Sequence, residues 1–227
     1  MAALVVAIVG AESTGKTTLA QALAPRLAEL SGQGCTWVPE PLRQWCDAMG
    51  RTPRREEQAD IASAHQKAIE RAAREHDIVL CDTTPLMVAI YSRYLFDDAS
   101  LMHAAIHWQR RCATTLLMAL DVPWVADGLQ RDGAHVRAPV DALLRDALSA
   151  HTLPWSVVRG TGEQRVENAI DALAPLLRMH QRQAGRGLFT RLSERNALPS
   201  AATWRCEHCD DPACEHLDFM RRRGVAT

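Results

Sequence analysis

The chain has 227 residues, is 47% apolar and 23% charged, and balances 26 basic against 27 acidic side chains for a formal net charge of −1. That composition excludes a disordered polymer and sets aside roles that need a field of one sign, such as binding nucleic acid or an anionic membrane surface. No apolar run is long enough for a bilayer, and the apolar start at 2–9 lacks a leader's cationic residues, so the expected compartment is the cytoplasm. An odd count of seven cysteines argues against a disulfide framework.

Residues 3–9 are uniformly apolar and β-branched, as in a central parallel strand buried on both faces. A glycine-rich turn follows, then helical spacing over 16–30, stopped by Ser31 and Gly32. Further strands are predicted at 35–38, 78–81, 116–120 and 155–158, and helices at 56–76, 85–96, 101–112, 140–150 and 163–180. Residues 127–137 are rich in Gly, Asp and Arg and read as a mobile loop. Strands alternating with helices predict an α/β domain with a parallel sheet covered on both faces: the three-layer P-loop NTPase fold, of nucleoside/nucleotide-kinase type. The expected organisation is an ATP-binding domain at 1–180, a polar connector at 181–205 and a Cys/His-rich tail at 206–227.

The order Gly10, Ala11, Glu12, Ser13, Thr14, Gly15, Lys16, Thr17 fits G-x-x-x-x-G-K-[ST], between a buried strand and a helix. Its backbone N–H groups, with those of Thr18 and the helix start, are expected to cradle the phosphates of ATP. Lys16 would reach the β and γ phosphates and Thr17 would ligate Mg²⁺. Glu12 is unusual within such a loop, and a solvent-facing side chain is expected for it.

Asp82 ends the strand at 78–81, at the sheet edge where ligands bind, and is a second candidate for the magnesium site. Glu40 follows the second strand and is a candidate general base for a substrate hydroxyl, making it both a catalytic and a substrate residue. Arg43 and Trp45 are candidate substrate contacts, one for an anionic group and one for a planar ring; the plainer alternative is a surface ion pair and a core tryptophan. Arg131 and Arg137, in the polar loop, are candidate lid arginines that neutralise charge on the transferring phosphoryl group.

Taken in order, the loop at 10–18, Glu40-x-x-Arg43, Cys81-Asp82-Thr83, Trp124-x-x-Asp127-Gly128-Leu129 and Gly162-x-x-Arg165 carry a resemblance. Over roughly 1–180 the chain resembles the ribosylnicotinamide kinase domain of the bifunctional bacterial regulator of NAD biosynthesis, and stand-alone relatives within the AAA ATPase group. The resemblance implies ATP- and Mg²⁺-dependent phosphorylation of a ribosyl 5′-hydroxyl. Glu40-Pro41 with Trp45 is also similar to a deoxynucleoside kinase motif, but Asp82-Thr83-Thr84 replaces the arginine-bearing motif of those enzymes.

Cys206, Cys209, Cys214 and His216 present Cys-x-x-Cys and Cys-x-His pairs, the donor types of a tetrahedral Zn²⁺ site. Their compressed spacing leaves plain reduced thiols as the preferred reading and structural zinc as the alternative. The sequence thus supports a small-molecule kinase acting on a nucleoside-like alcohol. Its rival is a regulatory ATP-binding switch that engages a protein partner through the tail.

Overall fold

The computed structural model describes residues 2–125 and 133–183. Five strands, β1 (Leu4–Val9), β2 (Cys35–Val38), β3 (Ile78–Asp82), β4 (Thr114–Met118) and β5 (Trp155–Val158), form one parallel sheet in the order β2-β3-β1-β4-β5. β1 sits at the centre, with Ile8 beside Asp82 on one flank and beside Leu116 on the other. Its carboxyl end therefore opens between two strand termini, where a ligand is shielded on both sides.

Alternate strand residues feed two cores. Val6, Ile8, Leu80, Leu116 and Met118 pack with leucines of α1 (Lys16–Ser31) and α7 (Gly162–Gln183). Ala7, Val9, Val79, Cys81 and Leu117 pack with α3 (Gln58–Glu75), α4 (Pro85–Phe96), α5 (Met102–Gln109) and α6 (Arg137–Ala150). The result is the three-layer α/β architecture that apolar, β-branched strands separated by amphipathic helices require. The chain divides into units at 1–180 and 181–227, the second described only as far as Gln183. Among the described residues no helix is long and apolar enough to cross a membrane.

Several elements differ from their sequence patterns. β4 begins at Thr114, two residues early, because its hydroxyl-bearing start is satisfied inside the core: Thr84 Oγ1 donates to Gln109 Oε1 (2.8 Å), and Gln109 Nε2 donates to Thr115 Oγ1 (2.9 Å). A helix not expected from the pattern, α2 (Pro41–Met49), starts with Pro41 in its first turn, where proline's fixed φ suits a helix, and ends at Gly50. The end of the polar loop is ordered: Ala134–Val136 form a 3₁₀ turn and α6 starts at Arg137 rather than 140. The last helix continues past 180 to Gln183.

One contact fixes how β1 leaves the sheet. At Gly10, with φ of +155°, an added Cβ would lie 2.9 Å from Met118 Cβ and 3.1 Å from Thr14 Oγ1. Met118 Cβ belongs to a neighbouring strand and cannot swing away. Gly10→Ala is expected to lower stability by about 1–3 kcal/mol through overpacking, measured by urea denaturation. An unchanged midpoint would mean that the loop moves aside.

Candidate active site

The turn after β1 is built around one carbonyl. Thr14 Oγ1 and Lys16 Nζ both donate to Ala11 O, at 2.8 and 3.0 Å. Ser13 and Gly15 take positive φ, 55° and 77°, so successive N–H groups turn toward a common centre. No side chain caps α1, leaving its first N–H groups to an anion rather than to a serine or aspartate. Glu12 corrects its expectation: the loop's curl turns it inward, and it is 7% exposed on a cavity wall rather than facing solvent.

Asp82 and Thr17 meet at this edge. Thr17 Oγ1 donates to Asp82 Oδ2 at 2.5 Å, while Asp82 Oδ1, in a residue only 1% exposed, has no hydrogen-bond partner among the described residues. Burial pushes the Asp82 carboxyl above its ordinary value, against the pull of Thr17, Lys16 and Arg43. The next residue, Thr83, holds φ at 67° and donates its N–H to Ile8 O (3.0 Å), so the turn after β3 is strained where it meets the loop.

Glu40 stands at the N-cap of α2, half-buried, on the same cavity as the loop. Burial also raises its carboxyl, with Asp82 adding to the rise and Lys16 and Arg43 opposing it. Lys16, Glu40, Arg43 and Asp82, separated by up to 66 positions, thus share one electrostatic neighbourhood. The cavity, of about 910 Å³, runs from the phosphate loop to α2, the start of α3 and one face of α4.

Two expected site residues are placed elsewhere. Trp45 does not line the cavity; the Arg51 guanidinium lies 5.0 Å from its ring centroid, a cation–π contact that covers the face proposed for a substrate. Tyr91 and Phe96 of α4 present the cavity's aromatic rings instead, while Leu86, Ala89 and Ile90 turn to the core. Their helical spacing made all five look alike as core. Arg137 is not a loop residue: it opens α6, is 9% exposed and does not line the cavity, because the 3₁₀ turn before it draws it into the fold. Arg131 lies outside the described residues, as do Asp127 and Gly128. The chain enters that segment from Val125, whose N–H donates to Ser13 Oγ at 2.8 Å. Cys206, Cys209, Cys214 and His216 also lie outside, and no group of three or more His, Cys, Asp or Glu among the described residues is arranged to hold a metal.

A residue that sequence reasoning left without a role secures the loop from behind. Arg165, 5% exposed on α7, donates from Nη1 to Thr14 O at 2.6 Å and from Nη2 to the Asp121 carboxylate. The other Asp121 oxygen accepts from Gly160 N–H at 2.7 Å. Burial alone would raise the Asp121 carboxyl, but the Gly160 N–H and the Arg165 guanidinium hold it below its ordinary value. One guanidinium thus joins the phosphate loop, the exit of β4 and the turn before α7. Only the Gly162-x-x-Arg165 spacing hinted at it.

The chain belongs to the AAA domain family, whose profile matches residues 5–165. No curated protein matches it. Among solved structures it is similar to NadR protein in complex with NAD and AMP-PNP, and to NadR protein in complex with NR. Both are 19% identical at a TM-score of 0.58; the match covers 76% of this chain and 49% and 50% of theirs, so the chain spans about half the NadR length. It is also similar to deoxyadenosine kinase from M. mycoides, a structure with products dCMP and a flexible dCDP bound, at 15% identity and a TM-score of 0.52 over 75% of this chain and 99% of that one. At these identities the likeness shows the fold alone.

Replacing Arg165 by Leu removes two donors and leaves Thr14 O and the inner Asp121 oxygen without their partner. A loss of about 2 kcal/mol in urea denaturation is expected, with Arg165→Lys recovering only part because an ammonium cannot fork between the two acceptors. Asp121's depressed carboxyl contributes stability above its ordinary 3.8 that is lost as pH falls through the folded value. That acid sensitivity should shrink in Arg165→Leu. Wild-type stability and acid response in the leucine variant would refute the clamp.

Proposed function

We propose that this AAA-domain chain is a Mg²⁺-dependent kinase that moves the γ-phosphoryl group of ATP to the hydroxyl of a nucleoside-like alcohol, ribosylnicotinamide being the first acceptor to try. The observation that carries the reading is Glu40: a carboxylate with raised affinity for protons, on the same cavity as an uncapped phosphate loop. Simple nucleotide binding has no use for it.

In this reading Lys16 leaves Ala11 O and pairs with the β and γ phosphates, while the loop N–H groups hold the remaining oxygens. The Thr17 hydroxyl and the unpartnered Asp82 Oδ1 fit a magnesium ion, directly or through water, since a buried carboxylate oxygen without a donor suits a cation. Bound there, the metal would neutralise charge on the β and γ oxygens. Glu40 takes the proton of the acceptor hydroxyl as its oxygen bonds to phosphorus and the bond to the ADP oxygen breaks. Arg131 belongs to a segment that begins beside the loop at Val125 and is the remaining candidate for a charge-stabilising lid.

Purified protein with ATP and Mg²⁺ should phosphorylate at least one member of a nucleoside panel, scored separately from free phosphate. Phosphate release indifferent to acceptor would replace the kinase by an ATPase switch. Lys16→Ala should abolish turnover and weaken ATP binding while the fold is retained.

Glu40→Gln should leave ATP affinity near wild type and lower kcat by a factor of about 100 or more. A base must be ionised, so wild-type kcat should fall as pH drops through the raised Glu40 value, above the ordinary 4.5, and the variant should lack this limb. Stability carries the opposite sign. A raised carboxyl contributes stability fully present below 4.5 and lost as pH rises through the folded value, so at neutral pH ionised Glu40 is a burden. Glu40→Gln should therefore raise Tm there while lowering kcat. An unchanged kcat on the best acceptor would place the base elsewhere.

A further inference from the structure

The cavity is electrically lopsided beyond the phosphate loop. Its far wall carries Arg43, Arg51, Arg54 and Arg55, and Glu40 is that wall's lone carboxylate among the described residues. Of the acids beside that wall, Glu57 and Asp98 are already paired, while Glu56 is exposed next to Arg55. Glu57 takes Arg51 in a two-pronged pair, 2.7 Å at each oxygen, and accepts the Arg54 backbone N–H; this holds its carboxyl down at about 2. Asp98 accepts from Arg55 Nε at 2.8 Å and from Ser100 N–H at 2.9 Å.

These pairs do not exhaust the positive charge. Arg51 spends its fork on Glu57, but Arg55 meets Asp98 through Nε, leaving its two terminal nitrogens outside that pair. Arg54 makes no ion pair among them, and both Arg54 and Arg55 are exposed. Tyr91 and Phe96 of α4 line the same cavity and supply flat apolar surface. The cavity therefore offers a ring a surface to lie on and an oxyanion two guanidinium groups, whose planar donors match carboxylate or phosphate geometry. A cationic ring would meet four arginines, with Glu40 the one carboxylate lining that wall among the described residues.

Resting on the kinase reading of this same site, we infer that the acceptor carries a carboxylate or phosphate of its own, besides the hydroxyl that is phosphorylated, and that Arg54 and Arg55 select it. The preference follows from Coulomb interaction in a cleft partly shielded from water, and it weakens as salt rises.

Matched acceptors test the inference. Uridine is paired with orotidine, its 6-carboxylate, adenosine with adenosine 3′-phosphate, and cationic ribosylnicotinamide with ribosylnicotinate. The anionic member of at least one pair is expected to have a kcat/KM higher by a factor of about ten or more. A preference in the carboxylate pairs alone, or in the phosphate pair alone, names the group read. Arg54→Ala with Arg55→Ala should bring that ratio to about one, and Arg54→Ala alone, at an exposed residue with no ion pair to lose, covers the case in which the double variant misfolds. Equal or reversed ratios in the wild type overturn the inference and leave the kinase reading standing. If no acceptor is phosphorylated, the kinase reading fails, and calorimetric titration of the same compounds into AMP-PNP-saturated protein decides the inference alone. Tighter binding of the anionic member upholds it, whereas equal binding, or binding of none, refutes it.

Discussion

The carbonyl of Ala11 is the point around which the cavity is organised. Two side chains of its own loop, Thr14 and Lys16, converge on it, and this holds the curl that turns the loop's N–H groups inward. The curl needs Ser13 and Gly15 at positive φ and Gly10 pressed against β4, a set of local costs that a free peptide would not accept. Those costs are offset from behind by the Arg165 guanidinium on Thr14 O. Because that arginine also grips Asp121, and Asp121 grips Gly160, the loop's shape is coupled to the ends of β4 and β5. Phosphate geometry and sheet packing are therefore one constraint.

A second consequence concerns where negative charge is held. Asp82 and Glu40 are raised by burial, Asp82 adds to the rise at Glu40, and both share the cations Lys16 and Arg43. The chain keeps Lys16 and Arg43 near both, which lowers the cost of ionisation without removing it. Two buried, ionisable carboxylates so placed weigh on stability, which on the kinase reading a cation and a triphosphate would relieve. A fold selected for stability alone would place amides or alkyl groups at these positions.

How much of this could be read from the sequence depended on whether the information was local. The phosphate loop is contiguous, so its residue order and its strand–turn–helix setting sufficed. The strands at 35–38 and 155–158 stood out because apolar runs are bounded by breakers, Pro39 on one side and Pro154 on the other. β4 was misjudged at its start because Thr114 and Thr115 look like surface until Gln109, on another element, donates to the Thr115 hydroxyl. Glu12 looked like a solvent residue because charge is the default surface signal, and only the loop's handedness turns it inward. Trp45 failed for a related reason: what covers its face, Arg51, lies beyond the end of its own helix. Arg165 acts on atoms up to 151 positions away, a relation no window of sequence contains.

The same distinction bears on what decides the acceptor. The groups that the kinase reading assigns to ATP and to the base come from three strand ends, β1, β2 and β3, and strand ends are fixed by the sheet register to within a residue. The far wall of the cavity comes instead from α2, the short connector before α3 and α4. Connectors tolerate substitution with little effect on the core, since their backbone packs on the surface. Arg51 and Arg55 are nevertheless tied down by Glu57 and Asp98, so ion pairs, together with the buried Pro53, hold this connector. Exposed pairs of this kind contribute little to stability. Their effect here is to set which guanidinium nitrogens stay available, which on the kinase reading lets acceptor choice vary independently of the phosphoryl-transfer groups.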